Sequence, residues 1–238
     1  MKHFQSDDIN IVYEDNQILV VVKPQNLPVC KDETGDDDLL NLLKQYLAKK
    51  YNKPGEAFLG LVHRLDRPTG GVMVFARNSK SAARLADRLK EGELEKRYLS
   101  VTVGVPKQPR NVLKNALYKD TSKNQVYCVP VATEGAKLAI LEYHTLAEKM
   151  GHALVDIKLI TGRSHQARVQ MANIGCPLFG DQKYGNGKSP VTNLALWAYE
   201  LRFPHPVSKD IMVFRVMPPA EEIPWKAFDI ENLLAIVK

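Results

Sequence analysis

The segment Leu61–Phe75, LVHRLDRPTGGVMVF, sets the tightest constraint on the fold. Two apolar, β-branched runs flank a charged stretch and a glycine pair, a pattern that reads as strand, crowded turn, strand. Gly70 and Gly71 let the backbone reverse and approach another segment or a ligand closely. Asp66 then sits on a turn beside Arg64 and Arg67, whose charges favour its ionised form. Such a carboxylate is either half of a structural ion pair or a group that works on a polyanion held by the arginines.

The remaining pattern is α+β. Ile18–Val22 is continuously apolar and reads as a central strand that stops at Lys23-Pro24. After an acidic loop at Lys31–Asp38, Asp37 or Asp38 can cap a helix with Leu39, Leu42, Leu43 and Tyr46 on its inner face. The acidic loop lacks the spacing of a calcium loop and reads as a solvated cap. Ala82, Leu85, Ala86 and Leu89 recur at helical spacing within Asn78–Gly92, where Gly92 can end the helix. Strands are expected at Leu94–Gly104, Gln125–Val131, Ala139–Ala147, Ala153–Ile160, Asn193–Phe203 and Ile211–Val216. Pro106–Thr121 reads as an irregular, exposed basic connection. Thr161–Gly175 reads as a helix capped near Ser164, and a short helix is expected around Ile230–Val237. Hairpin-linked strands with few crossovers imply a mixed, largely antiparallel sheet flanked by helices.

The 238 residues carry a formal charge of +6, unevenly placed. Residues 1–60 hold 7 basic and 10 acidic side chains, whereas the rest hold 26 and 17. A basic surface of that kind suits a nucleic-acid partner. The three isolated cysteines, Cys30, Cys128 and Cys176, argue against a disulfide framework or a structural zinc site. No metal-ligand spacing connects His63, His144, His165 and His205. The Gly185–Ser189 run, GNGKS, lacks the spacing of a phosphate-binding loop. Met1–Asn10 has no apolar signal-type core, and no apolar stretch approaches the roughly 20 residues needed to span a bilayer. A cytoplasmic location with no membrane partner is expected.

Three charged clusters stand out. Arg64 and Asp66 form the first, and Tyr98 beside Lys96 and Arg97 the second. Arg163, His165, Gln166 and Arg168 form the third at a helix start, a favourable place for an anion. An aromatic side chain among basic residues suits stacking on a base.

These segments resemble the RluA-type RNA pseudouridine synthases. His63–Gly71 (HRLDRPTGG) is similar to that family's HRLD signature, and Leu94–Gly104 to its K-x-Y strand. Thr161–Gly185 resembles its TGR-x-HQ-x-R…GD-x-x-YG block. Leu194–Pro206 resembles its later L-x-F-x-HP segment, and Ile11–Val29 its first strand pair. The likeness runs in order from about residue 11 to 217. Two positions depart from it: Gly70 stands where many relatives have serine, and Trp197 where they commonly have histidine.

The resemblance implies a pseudouridine synthase fold with a central catalytic cleft. It implies one catalytic domain over residues 1–238, without a separate S4-type module in front. Asp66 would act on the ribose of a flipped-out uridine, as nucleophile or base. Arg168 would pair with Asp66, and Tyr98 would stack on the base and could take part in removing its C5 proton. Arg64, Arg163, His165 and Gln166 would bind the substrate, with Leu194 and Leu196 as the apolar wall behind the base. No cofactor or metal is called for. The partner would be structured RNA, ribosomal or transfer, with no obligate protein partner and a monomeric state. Pro106–Lys123 and the Lys80–Lys90 helix are the candidate RNA grips. Two other readings remain: a catalytically idle RNA-binding relative, and a carboxylate hydrolase. The latter would need a second carboxylate, for which Asp181, read here as part of a structural turn, is the one motif residue available.

Overall fold

The apolar run at Ile18 forms an interior strand, as its pattern predicts. The computed structural model describes residues 4–52, 54–185 and 193–236, and all but the first residue of the Gly185–Ser189 run lies outside them. The chain divides into two compact units, residues 1–95 with 198–216 and residues 96–197 with 217–238.

In the first unit β1 (Asn10–Glu14), β2 (Ile18–Lys23), β4 (Gly70–Ala76) and β10 (Leu196–Pro204) lie side by side. β3 (Gly60–Leu61) adds to β4, and β11 (Ile211–Arg215) to β10. The β1–β2, β2–β4, β3–β4 and β10–β11 ladders are antiparallel. Both faces of β2 are covered, which explains its unbroken apolar run. Ile18, Val20, Val72 and Val74 pack with Leu85 of α2 (Ser79–Lys90) and with Phe203. Asn78 caps α2 by accepting from the Ser81 amide, and Gly92 follows its end at φ 78°. α1 (Leu39–Lys50) is capped by Asp38, which accepts from the Asn41 amide. Its inner face differs from the sequence reading. Leu47 is buried in place of Tyr46, whose hydroxyl instead donates to the Glu14 carboxylate at 2.9 Å.

The second unit carries β5 (Glu95–Val103), β9 (His152–Leu159), β8 (Lys137–Lys149), β6 (Arg110–Asp120) and β7 (Gln125–Val129), in that order across the sheet. All four ladders are antiparallel. The segment expected to be an irregular connection is β6, an interior strand. Leu113 and Leu117 alternate inward and pair with Leu141 and Cys128, while Arg110, Lys114 and Lys119 stay exposed. The basic residues masked a period-two pattern. α3 (Gln166–Asn173) lays Val169 against Leu117, Val126 and Ala139. Ser164 does not cap it. The cap position is His165, in the left-handed region at φ 51° with no side-chain cap bond. α4 (Ile230–Ile236) forms close to its expected place.

Gly71 is where the glycine pair matters most. At φ +123° a Cβ would stand 2.2 Å from the Ala198 carbonyl oxygen and 2.5 Å from its nitrogen. Both are backbone atoms and cannot swing aside. Gly71→Ala is therefore expected to cost roughly 3 kcal/mol or more, read as a large drop in thermal midpoint. A midpoint within a degree or two of wild type would show that β4 and β10 have room to spare.

Candidate active site

Asp66 lies on the turn between β3 and β4, half-buried, with Arg64 exposed beside it. All four carbonyls from Asp66 to Thr69 are engaged. The Thr69 amide donates to Asp66 O at 3.0 Å, and the Asn26 amide to Arg67 O at 2.9 Å. The Gln25 side chain donates to Pro68 O at 3.0 Å. Lys23 supplies the rest: its ammonium donates to Pro24 O, Arg67 O and Thr69 O at 2.9, 2.9 and 2.7 Å.

Lys23 is 0% exposed. Burial drives its pKa down to about 7, with the Asp66 charge pulling upward and Arg67 pushing further down. Three carbonyl acceptors favour the ammonium, because a neutral amine has only two N–H donors. A lysine ending an apolar strand just before a proline is the sequence signal for this role.

Arg67 is not committed to Asp66 as its sequence position suggests. Its guanidinium pairs with Asp36 and with Asp32, the latter at 3.3 Å, and its Nε donates to Asn26 O at 3.2 Å. The acidic loop thus supplies the counter-charges of Arg67 through Asp32 and Asp36, besides the Asp38 cap of α1. His63 is buried and its Nε2 accepts from the Val74 amide at 3.2 Å, a structural bond.

The third cluster assembles within the second unit. Gln166 is buried at the start of α3 and pins the preceding loop. Its side-chain oxygen accepts from the Arg163 amide and the Thr161 hydroxyl, both at 2.9 Å, while its nitrogen donates to Ile140 O at 3.0 Å. Arg163 donates through Nε to Leu138 O at 3.0 Å. His165 Nδ1 lies 2.6 Å from the Tyr184 hydroxyl, with the two rings edge to face.

Arg168 is buried and gripped at two points by Asp181. Nε donates to Oδ2 at 2.8 Å and Nη2 to Oδ1 at 2.7 Å. Tyr184 lies under the guanidinium at 5.1 Å. Burial alone would raise the Asp181 carboxyl, but Arg168 and the amides of Tyr184 and Lys183 hold it below the usual carboxylate range. Asp181 thus has the structural role expected of it, and the residue it serves is Arg168.

Tyr98 lies on β5, opposite Ile157 and 5% exposed. Leu194 and Leu196 are buried and flank Ala195, whose carbonyl accepts from Val101 N–H and the Ser100 hydroxyl. Trp197 is buried too, in keeping with a packing role. Asp66 and Arg64 belong to the first unit, and the remaining candidates to the second.

A family model described as RNA pseudouridylate synthase matches residues 17–173, a span that takes in the Asp66 turn, Tyr98 and the α3 cluster. The chain belongs to that family. It is 37% identical over 180 residues to the ribosomal large subunit pseudouridine synthase C of Rickettsia bellii, covering 75% of this chain and 57% of that protein. It is 35% identical to an uncharacterized RNA pseudouridine synthase of Aquifex aeolicus, covering 89% of this chain and 70% of that protein. Among solved structures, human RNA pseudouridylate synthase domain containing 4 matches with a TM-score of 0.74 over 88% of each chain, at 24% identity. That last likeness shows a shared fold. Pseudouridine synthases isomerise uridine in RNA. The expected family and its largely antiparallel α+β fold are borne out.

The Arg168–Asp181 pair makes a sharp prediction about stability. Breaking a buried pair by removing one partner costs roughly 3–5 kcal/mol, so Asp181→Asn and Arg168→Met should each lower the unfolding free energy by that order at pH 7. Because the folded carboxyl titrates below its unfolded value, this contribution is present above about pH 4 and lost as acid takes the pH through the folded pKa. Wild type and Asp181→Asn should converge in stability as the pH falls through the lowered folded pKa of Asp181. Parallel denaturation curves at pH 7 and below that pKa would contradict the assignment.

Proposed function

We propose that this chain converts uridine to pseudouridine in structured RNA, with Asp66 acting on the ribose of a flipped-out uridine. The observation that carries this reading is the Asp66 carboxylate on a turn whose carbonyls are all tied down, in a chain of the pseudouridine synthase family. Ribosomal RNA is the first candidate substrate, because relatives from Rickettsia bellii and Zymomonas mobilis carry the name ribosomal large subunit pseudouridine synthase. Transfer RNA is the second. The protein acts as a monomer in the cytoplasm, and no helix among the described residues is long and apolar enough to cross a membrane.

The reaction breaks an N–C glycosidic bond, turns the uracil over and forms a C–C bond to the same ribose. Asp66 provides the anionic group near C1′ and C2′. Arg168 pairs with it and orients it. The two-point grip of Asp181 supports this role by fixing the guanidinium plane. Tyr98 stacks on the base, with Leu194 and Leu196 behind it. Arg64 keeps the nucleotide out of its helix, at a cost of a few kcal/mol in unstacking that stacking and phosphate contacts offset. Arg163, His165 and Gln166 shape the substrate side of α3. The two units work as one catalytic domain. The exposed Lys107, Arg110, Lys114 and Lys119 are suited to gripping phosphates from β6 and the loop before it.

The hydrolase alternative is weakened by Asp181. A general acid needs a raised pKa, and although burial pushes this carboxyl up, Arg168 and the amides of Tyr184 and Lys183 leave it lowered. An idle RNA-binding relative would have no need of Asp66.

RNA labelled with tritium at uridine C5 decides among these. The wild type should release the label and leave pseudouridine, with no free uracil. Asp66→Asn should lower release by at least a thousandfold while keeping RNA affinity within a few-fold. Turnover of the Asn variant near the wild-type rate would remove Asp66 from the chemistry.

A further inference from the structure

Lys96 lies two residues before Tyr98 on β5, so alternation places both side chains on one face of the strand. Lys96 is half-buried. It makes no hydrogen bond or ion pair with any described residue, and burial lowers its pKa with no neighbouring charge acting the other way. Its ammonium stands 3.4 Å from where a Cβ on Gly162 would be, so the glycine leaves it space. The loop it faces is rigid, with Thr161 and Arg163 both bound by Gln166 and Arg163 bound to Leu138 O.

A desolvated ammonium without a counter-charge weakens a fold. The neighbouring Arg97 shows how the same strand treats a cation kept for structure: it is paired with Asp156. A lysine left without a protein anion next to the base-stacking tyrosine is suited to an anion that arrives with the ligand. A compact ammonium with three rotatable donors suits a phosphate group, and in an RNA substrate the phosphates are the anions.

The geometry points to Lys96 as a substrate-binding residue that takes the phosphate of the target nucleotide while Tyr98 takes its base. This rests on the isomerase reading for the identity of the nucleotide. It adds a role for a side chain that the Asp66–Arg168–Tyr98 chemistry does not use. Lys96 has two opposed effects: it weakens the free protein and strengthens the complex.

The test uses Lys96→Met and Lys96→Arg in the full chain, with an RNA hairpin shown to release label from one uridine. Lys96→Met should keep or raise the thermal midpoint, raise KM about tenfold or more, and lower the slope of log affinity against log salt by roughly 0.7–0.9. Lys96→Arg should recover most of the affinity. A hairpin with an uncharged methylphosphonate at the target phosphate should weaken binding to wild type about as much as Lys96→Met does, and cost the Met variant nothing more. A lower thermal midpoint with unchanged KM and salt slope would make Lys96 structural and overturn the proposal. So would a methylphosphonate that penalises wild type and Lys96→Met equally. Affinity is read without turnover. A wild type that binds RNA through Lys96 yet converts no uridine would keep the phosphate contact and sink the isomerase reading instead.

Discussion

The ammonium of Lys23 is the interaction on which the candidate site depends. It is a fully enclosed cation whose three hydrogen bonds all end on backbone carbonyls, two of them in the turn that presents Asp66. The turn satisfies the Asp66 carbonyl itself, through the Thr69 amide, but the carbonyls of Arg67, Pro68 and Thr69 need donors from outside it. Water would normally take them, at the expense of a fixed geometry. Placing the donor on the end of β2, a strand buried on both faces, transfers the rigidity of the first unit's core to the turn. Gly71 completes the arrangement by letting β4 leave the turn directly against the backbone of Ala198.

The second unit fixes its cation by a different device. Arg168 sits on a short helix that has no side-chain cap, so helix stability alone cannot orient it. Asp181 does so through two parallel charge-assisted bonds, and its own carboxylate is held by the amides of Lys183 and Tyr184. Gln166 performs the matching task for the loop before the helix. In both units the groups proposed to meet the substrate are thus held by buried polar side chains bound to backbone or to a single partner. Such networks are costly to leave half-satisfied, which makes them sensitive points for stability as well as activity.

Much of this was legible in the sequence because the signals were local. Ile18–Val22, the Leu61–Phe75 turn and the helix at Asn78–Gly92 each declare themselves by periodicity and by residues at their ends. The chain's likeness to a known family was carried by long ordered motifs, and the family match bears it out. For β6 and Arg67 the misreading has one cause, which is charge taken at face value. β6 looked irregular because Arg110, Lys114 and Lys119 obscured Leu113 and Leu117, and its true place depends on pairing with β8, about 25 residues further on. Arg67 looked like a neighbour of Asp66 but turns to Asp32 and Asp36. The function of Lys23 is hinted at only by its place at the end of an apolar strand before a proline, since two of its three acceptors lie 44 and 46 residues away.

The Asp66 turn is rigid because Lys23 makes it so. Native-state hydrogen exchange at the Thr69 and Asn26 amides, which close the turn onto Asp66 O and Arg67 O, measures this directly. In the wild type both amides should exchange with opening free energies close to that of global unfolding. In Lys23→Met they should exchange at least a hundredfold faster, with amides in the middle of β2 changing far less. Equal protection of these two amides in both proteins, measured against the same β2 reference, would contradict the claim.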